Sequence, residues 1–201
     1  MDTAVALVQS YLYMNGYFTV TEYPVLELLD SGEVRSVTDA DMLAVRFPGV
    51  GVQVPHATHG SRLVCDPLLD VPEDRLDLVI GEVKEGRAEI NAAARDPEVL
   101  HAVLHRFGHV DEETADEIVG QLLADGEAFH PDGPRVRLIA FGSRPPREGP
   151  VFYRWISLGH IARFMHETIS ARWEAAQAIQ SKDPALSFLL LLEKALRGEG
   201  S

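Results

Sequence analysis

Only one cysteine, Cys65, stands among the 201 residues, so no disulfide can close within the chain. Such usage fits a reducing cytoplasm rather than an oxidising compartment. The start, Met1-Asp2-Thr3, has no basic n-region of the kind a secretory signal carries. The longest apolar run near the C-terminus, Ser187-Phe188-Leu189-Leu190-Leu191-Leu192, is far too short to cross a bilayer. A cytoplasmic location is the expectation. Motifs of several enzyme classes are missing as well. There is no GxSxG elbow, no Walker loop, no HExxH and no CxxC, and Gly49-Val50-Gly51 is turn chemistry without a helix start after it. Acyl transfer from a serine elbow, nucleotide-powered work and dinucleotide redox chemistry are thereby set aside.

Positive charge is scarce. Eighteen Lys and Arg face 31 Asp and Glu, a net charge of −13. A protein that grips a nucleic-acid duplex alone normally shows a basic face, because phosphate neutralisation supplies most non-specific affinity. Here the arginines gather in the last third: Arg135, Arg137, Arg144, Arg147, Arg154, Arg163 and Arg172. The expectation is a local basic surface there, on a chain that works with a partner or binds nucleic acid transiently.

What is present is an ordinary globular composition, 46% hydrophobic and 24% charged, long enough for one well-buried core with decorations. Apolar periodicity predicts a helix from Ala4 to Asn15, stopped by Asn15-Gly16. Phe18 to Leu28 reads as a strand that Pro24 pushes toward an edge or a bulge. Helices are predicted over Asp96–Phe107 and Asp111–Asp125. Strands are predicted over Arg135–Gly142 and Val151–Ile156, and long helices over Leu158–Ser181 and Pro184–Arg197, with Pro184 at a first helical position. The stretch from Arg46 to Arg75, rich in Gly, Pro, His and Asp, is expected to be a surface loop.

The densest signal is Asp77-Leu78-Val79-Ile80-Gly81-Glu82-Val83-Lys84, an apolar run ending in a carboxylate and an ammonium two residues apart. On a strand, Glu82 and Lys84 project to one side while Val79 and Val83 face the other. Ser36 to Val45 reads as a second strand able to set Asp41 beside Glu82, with Asp39 an alternative two residues away on the same face. Two carboxylates and a lysine on adjacent strands suit a hard cation and an activated water. The plain alternatives are a strand-end salt bridge for Glu82 and Lys84 and a turn carboxylate for Asp41.

This arrangement resembles the PD-(D/E)xK nuclease superfamily, with Asp41 followed by Glu82-Val83-Lys84 in an order of helix, strands, helix and strand that agrees over roughly the first two-thirds of the chain. The resemblance implies an α/β, restriction-endonuclease-like fold: a mixed central sheet flanked by helices. Its core would span 1–157, with a long loop near 46–75 and a helical insertion near 91–125, followed by a C-terminal helical extension over 158–201. It implies metal-dependent phosphodiester hydrolysis of DNA. Asp41, Glu82 and the Val83 carbonyl would hold Mg2+ or Mn2+, and Lys84 would orient or deprotonate the attacking water. The alternative is a catalytically inactive relative used for binding or assembly. Many members carry a first-helix glutamate; Asp2 to Met14 has none, and Gln9, Glu22 or Glu27 would stand in for it.

His101, His105 and His109, four residues apart, form a stripe if one helix carries them all, more simply a solvated face than a metal site. His56 and His59 with Cys65 and Asp66 make a looser cluster without the spacing of a structural zinc site. In the last helix, Phe188 to Leu192 is apolar nearly all round, and a homodimer or a protein partner is expected to cover Phe188, Leu191 and Leu192.

Overall fold

Apolar residues on both parities of Asp77–Lys84 require a strand covered on both faces, and the computed structural model places it at the centre of a mixed sheet. Residues 2–29, 31–50, 65–108, 111–130, 133–147, 151–179 and 181–198 are described. In chain order the elements are α1 (Thr3–Met14), β1 (Phe18–Leu28), β2 (Val34–Arg46), β3 (Asp77–Arg87), α2 (Pro97–Phe107), α3 (Glu112–Asp125), β4 (Glu127–Phe129), β5 (Arg135–Arg144), β6 (Arg154–Ser157), α4 (Leu158–Ala171), α5 (Trp173–Ala176) and α6 (Pro184–Leu196). The six strands run β1-β2-β3-β5-β4, with β6 also on β5. β1, β2 and β3 pair antiparallel; β3 pairs parallel with β5, and β5 with β6. The chain is thus an α/β protein with a mixed six-stranded sheet flanked by helices.

Alternation along β3 divides the core. Val79 and Val83 join Met42, Ile139 and Phe141 under α1, α4 and α6, while Leu78 and Ile80 join Leu43 and Leu138 under α2 and α3. Local chemistry sets the helix ends. Asp96 accepts from the Glu98 N–H at 2.9 Å and Asp183 from the Leu186 N–H at 2.9 Å, each ahead of a first-turn proline. Gly108 and Gly126 close α2 and α3 at φ 73° and 70°. β2 and β3 diverge: their ladder covers Met42 to Arg46, whereas Val34 to Ala40 pairs only with β1. The two-stranded arm of β1 and β2 therefore splays away from β3, and Asp41 sits where the strands part.

Two expectations are corrected, and one short strand was not foreseen. The stretch after Arg46 is no uniform surface loop: Asp66 and Leu69 are buried, although residues 51–64, with His56 and His59, lie outside the described part. Asp66 accepts from Tyr11 Oη at 2.7 Å and the Leu68 N–H at 2.9 Å, its own N–H donates to Asn15 Oδ1 at 2.7 Å, and His160 Nε2 stands 2.6 Å from its carboxylate. The helix expected over Leu158–Ser181 breaks at Arg172, because the Ser170 carbonyl accepts from Arg197 Nη2 at 2.9 Å and Trp173 turns inward, under the Arg197 guanidinium. The three-residue β4 escaped notice because so short a strand shows no alternation. α6 packs Leu186 and Leu189 on the core and leaves Phe188, Leu191 and Leu196 outermost.

Two ionised groups are buried in full at the start of β3 and β5. Asp77 takes both Arg137 Nε, at 3.1 Å, and Arg137 Nη2, while Arg137 Nη1 donates to the Leu69 carbonyl at 2.7 Å and Tyr17 Oη donates to Asp77. Burial, reinforced by the Asp77 charge, pushes the Tyr17 phenol above its ordinary value, so it stays a donor. Removing one partner leaves an uncompensated buried charge. Arg137→Met is expected to cost about 3–5 kcal/mol in urea denaturation, and Asp77→Leu combined with Arg137→Met less than the single change. A single variant within 1 kcal/mol of wild type, on that same scale, contradicts this assignment.

Candidate active site

The β2–β3 ladder ends at the pair Met42 and Gly81. The next β3 donor on that edge, the Val83 N–H, finds no β2 carbonyl; Asp41 Oδ2 accepts it at 2.8 Å. A side chain thus completes the ladder where the backbones diverge. By alternation Asp41 shares the face of Leu43, and Glu82 the face of Ile80, and both faces belong to the α2/α3 side. The two carboxylates therefore stand on neighbouring strands on one face, with Lys84 following on the same side.

Glu82 is 3% exposed, so the simple picture of a charge pair on a solvated strand end does not apply. Its Oε1 accepts from Lys84 Nζ and from Asn91 Nδ2, the latter at 2.9 Å. Asn91 is itself oriented: its Oδ1 accepts the Ala94 N–H at 2.7 Å, which leaves the amide nitrogen to face Glu82. Burial pushes the Glu82 carboxyl above the ordinary range, against the hydrogen bond of Lys84, and the Asp41 charge adds to the rise. Burial draws the Lys84 ammonium down, but the hydrogen bond and charge of Glu82 and the charge of Asp41 outweigh it and hold the amine above its usual value. Lys84 is a proton-holding donor in this arrangement.

Asp41, Glu82 and Lys84, singled out from the sequence, come together. The fourth, Val83, sends its N–H to Asp41, and a strand residue directs its C=O to the same edge as its N–H, so that carbonyl also leaves toward the gap between β2 and β3. Asp39 is exposed, farther out on the same face, and with Glu82 and Asn91 borders a cavity of about 20 Å³ floored by Ile80, Leu100 and Val103. That space admits about one water. Gln9 is not at the site: it lies on α1, across the sheet, with Nε2 3.3 Å from Thr19 Oγ1. Glu22 sits at a β1 irregularity with φ 53°, and the Glu27 side chain lies outside the described part.

The donor set suits a hard cation that keeps most of its waters. One oxygen of each carboxylate is engaged by the protein and the other, Asp41 Oδ1 or Glu82 Oε2, has no protein partner among the described residues. Mg2+ is commonly held by one or two carboxylates with water completing the shell. No cluster of three or more His, Cys, Asp or Glu side chains suited to a metal occurs among the described residues. His101 pairs with Asp116 at 3.1 Å and lies 6.5 Å, ring to ring, from His105 on α2, while His109 lies outside the described residues. Asn91 was missed in the sequence; its position just ahead of a turn and a helix was the available signal.

The raised Glu82 carboxyl sets the sign of a pH effect. An acid that binds its proton more tightly folded than unfolded contributes stability at low pH that is lost as pH rises through its folded-state value. Glu82→Gln is therefore expected to melt higher than wild type at neutral pH, with the gap closing as pH falls through the carboxylate range. Thermal melts across pH check this; a gap that widens on acidification contradicts it.

No family model, no curated protein and no solved structure matches this chain.

Proposed function

We propose that the chain is a metal-dependent nuclease that hydrolyses phosphodiester bonds of DNA, a member of the PD-(D/E)xK group with a restriction-endonuclease-like fold. The observation that carries this reading is the pair of carboxylates at the parting of β2 and β3, each with one oxygen fixed and one open, beside a protonated lysine. Asp41, Glu82 and the Val83 carbonyl would hold Mg2+ or Mn2+, which when bound lowers the pKa of a bound water and polarises a phosphoryl oxygen. The Val83 N–H aims Asp41, and Asn91 aims Glu82. Lys84, with its proton held firmly, orients the attacking water by donation and stabilises charge growing on the phosphate, rather than acting as the base. Lys84→Ala is expected to lose hydrolysis altogether and to stay folded, with a lowered melting temperature because the buried Glu82 carboxylate loses its ammonium partner. Cleavage by the purified variant at the wild-type rate removes Lys84 from the mechanism.

A second reading, a catalytically inactive module for assembly, draws on α6. Phe188 and Leu191 are each more than 60% exposed and Leu192 is 37% exposed, an apolar face, extended by Leu196, that a second copy or a protein partner would cover. Because Leu191 is outward, Leu191→Glu is expected to leave folding intact and to abolish self-association in sedimentation experiments. Unfolding of that variant contradicts the outward placement, and a monomeric wild type removes the homodimer. Calorimetric titration with Mn2+ separates the two functions: binding by wild type and none by Asp41→Asn supports the nuclease.

A further inference from the structure

Of the arginines expected to make a basic surface, three are tied to carboxylates. Arg135 and Arg154 meet Asp70, Arg137 meets Asp77, and Arg46 donates to the carbonyls of Asn15, Val50 and Pro72. Arg144, Arg147 and Arg163 have no carboxylate partner within salt-bridge reach among the described residues, and neither has Arg87, whose Nη1 donates only to the Pro145 carbonyl at 3.1 Å. Three of these four lie together, just past Lys84.

Their placement depends on a bulge. Lys84 is in register with Gly142, but Arg87, three residues on, is in register with Arg144, two residues on. The extra residue in β3 sets Arg87 beside Arg144, one step past the end of the face that carries Glu82 and Lys84. Arg144, two residues beyond Gly142, shares that face, and Glu85 takes the opposite one. The bulge lies so close over β5 that a Cβ at Gly142 would stand 2.5 Å from the Ala88 nitrogen and 2.8 Å from the Arg87 carbonyl carbon, so only glycine admits it. The Arg147 N–H bonds Glu89 at 3.0 Å and fastens the third arginine to the same turn. Two guanidiniums in register repel each other unless an anion lies between them. From Lys84 to the Arg87–Arg144 pair is a step of about 7 Å along the strands, so the cations follow a line rather than converge on one small anion. A line of cations matches a repeating phosphate chain.

We propose that Arg87 and Arg144, with Arg147 beside them, form a ridge that binds the phosphate backbone of DNA next to the bond presented to Asp41, Glu82 and Lys84. The class of ligand rests on the nuclease reading; the ridge itself rests on the bulge, the glycine and guanidiniums that have no carboxylate partner among the described residues. With a net charge of −13 the rest of the surface repels a polyanion, so the ridge fixes where DNA lies.

The test is fluorescence anisotropy with a labelled duplex oligonucleotide, metal chelated so that cleavage plays no part, over a series of salt concentrations. Arg87→Ala with Arg144→Ala is expected to bind at least tenfold more weakly, with a salt slope shallower by about 1.8, two phosphate contacts at about 0.9 each. Arg163→Ala, across the sheet on α4, is expected to bind as wild type. Glutamine at both positions, tested by melting first, gives the same loss with side-chain length kept. Wild type that fails to bind, a double variant with unchanged affinity and slope, or an equal loss in Arg163→Ala each overturns the ridge. The two readings fail separately. Mg2+-dependent cleavage that is insensitive to the arginine changes sinks the ridge and keeps the nuclease; arginine-dependent binding without any cleavage sinks the nuclease and keeps the ridge.

Discussion

Burial of β3 on both faces is the constraint on which the rest depends. A strand enclosed by α1, α4 and α6 on one side and by α2 and α3 on the other excludes water from Asp77 through Val83. Any charge on it must then be matched within the protein. At one end Asp77 is matched by Arg137 and Tyr17 through three hydrogen bonds that engage both of its carboxylate oxygens. At the other end Glu82 is matched only in part, by Lys84 and Asn91 on a single oxygen. The strand thus carries one charge that is closed and structural and one that is open and available for chemistry.

The parting of β2 from β3 gives that open charge its neighbour. Had the ladder continued, backbone would have occupied the Val83 N–H and Asp41 would have had no fixed place. Divergence replaces a backbone acceptor with a carboxylate and thereby joins a sheet-pairing feature to an electrostatic one. Burial raises the proton affinity of Glu82, the Glu82 hydrogen bond and charge raise that of Lys84 against burial, and the Asp41 charge across the gap adds to both. A cation placed there relieves the mutual repulsion of the carboxylates, which ties metal affinity to the local stability of the fork.

Much of this was legible in the sequence because it follows from period-two alternation. The run Leu78 to Ile80, the shared side of Glu82 and Lys84, and the edge role of Pro24 needed no partner to be known. The bounds of β1 and the stop at Asn15-Gly16 follow equally from local chemistry. Pairings between distant residues were not legible. Arg137 looks like a surface arginine until Asp77, 60 positions earlier, is set beside it. Asp66 looks like a loop residue until Tyr11 and His160 meet it. The bulge between Lys84 and Arg87 exists only relative to β5, and the break at Arg172 only because Arg197 reaches back to Ser170. Asn91 gave a turn signal, but its aim at Glu82 is a tertiary fact.

The contact between α1 and α6 carries a consequence for how the chain acquires its structure. Ser10 donates to Asp183 across 173 positions, and the apolar face of α1 is completed by Leu186 and Leu189. During synthesis α1 therefore has no finished surface to rest on until α6 has also left the ribosome. Non-local closure of this kind slows folding and prolongs exposure of apolar surface. The arm of β1 and β2, whose pairing is local, can form early, while α1 waits for its last neighbour.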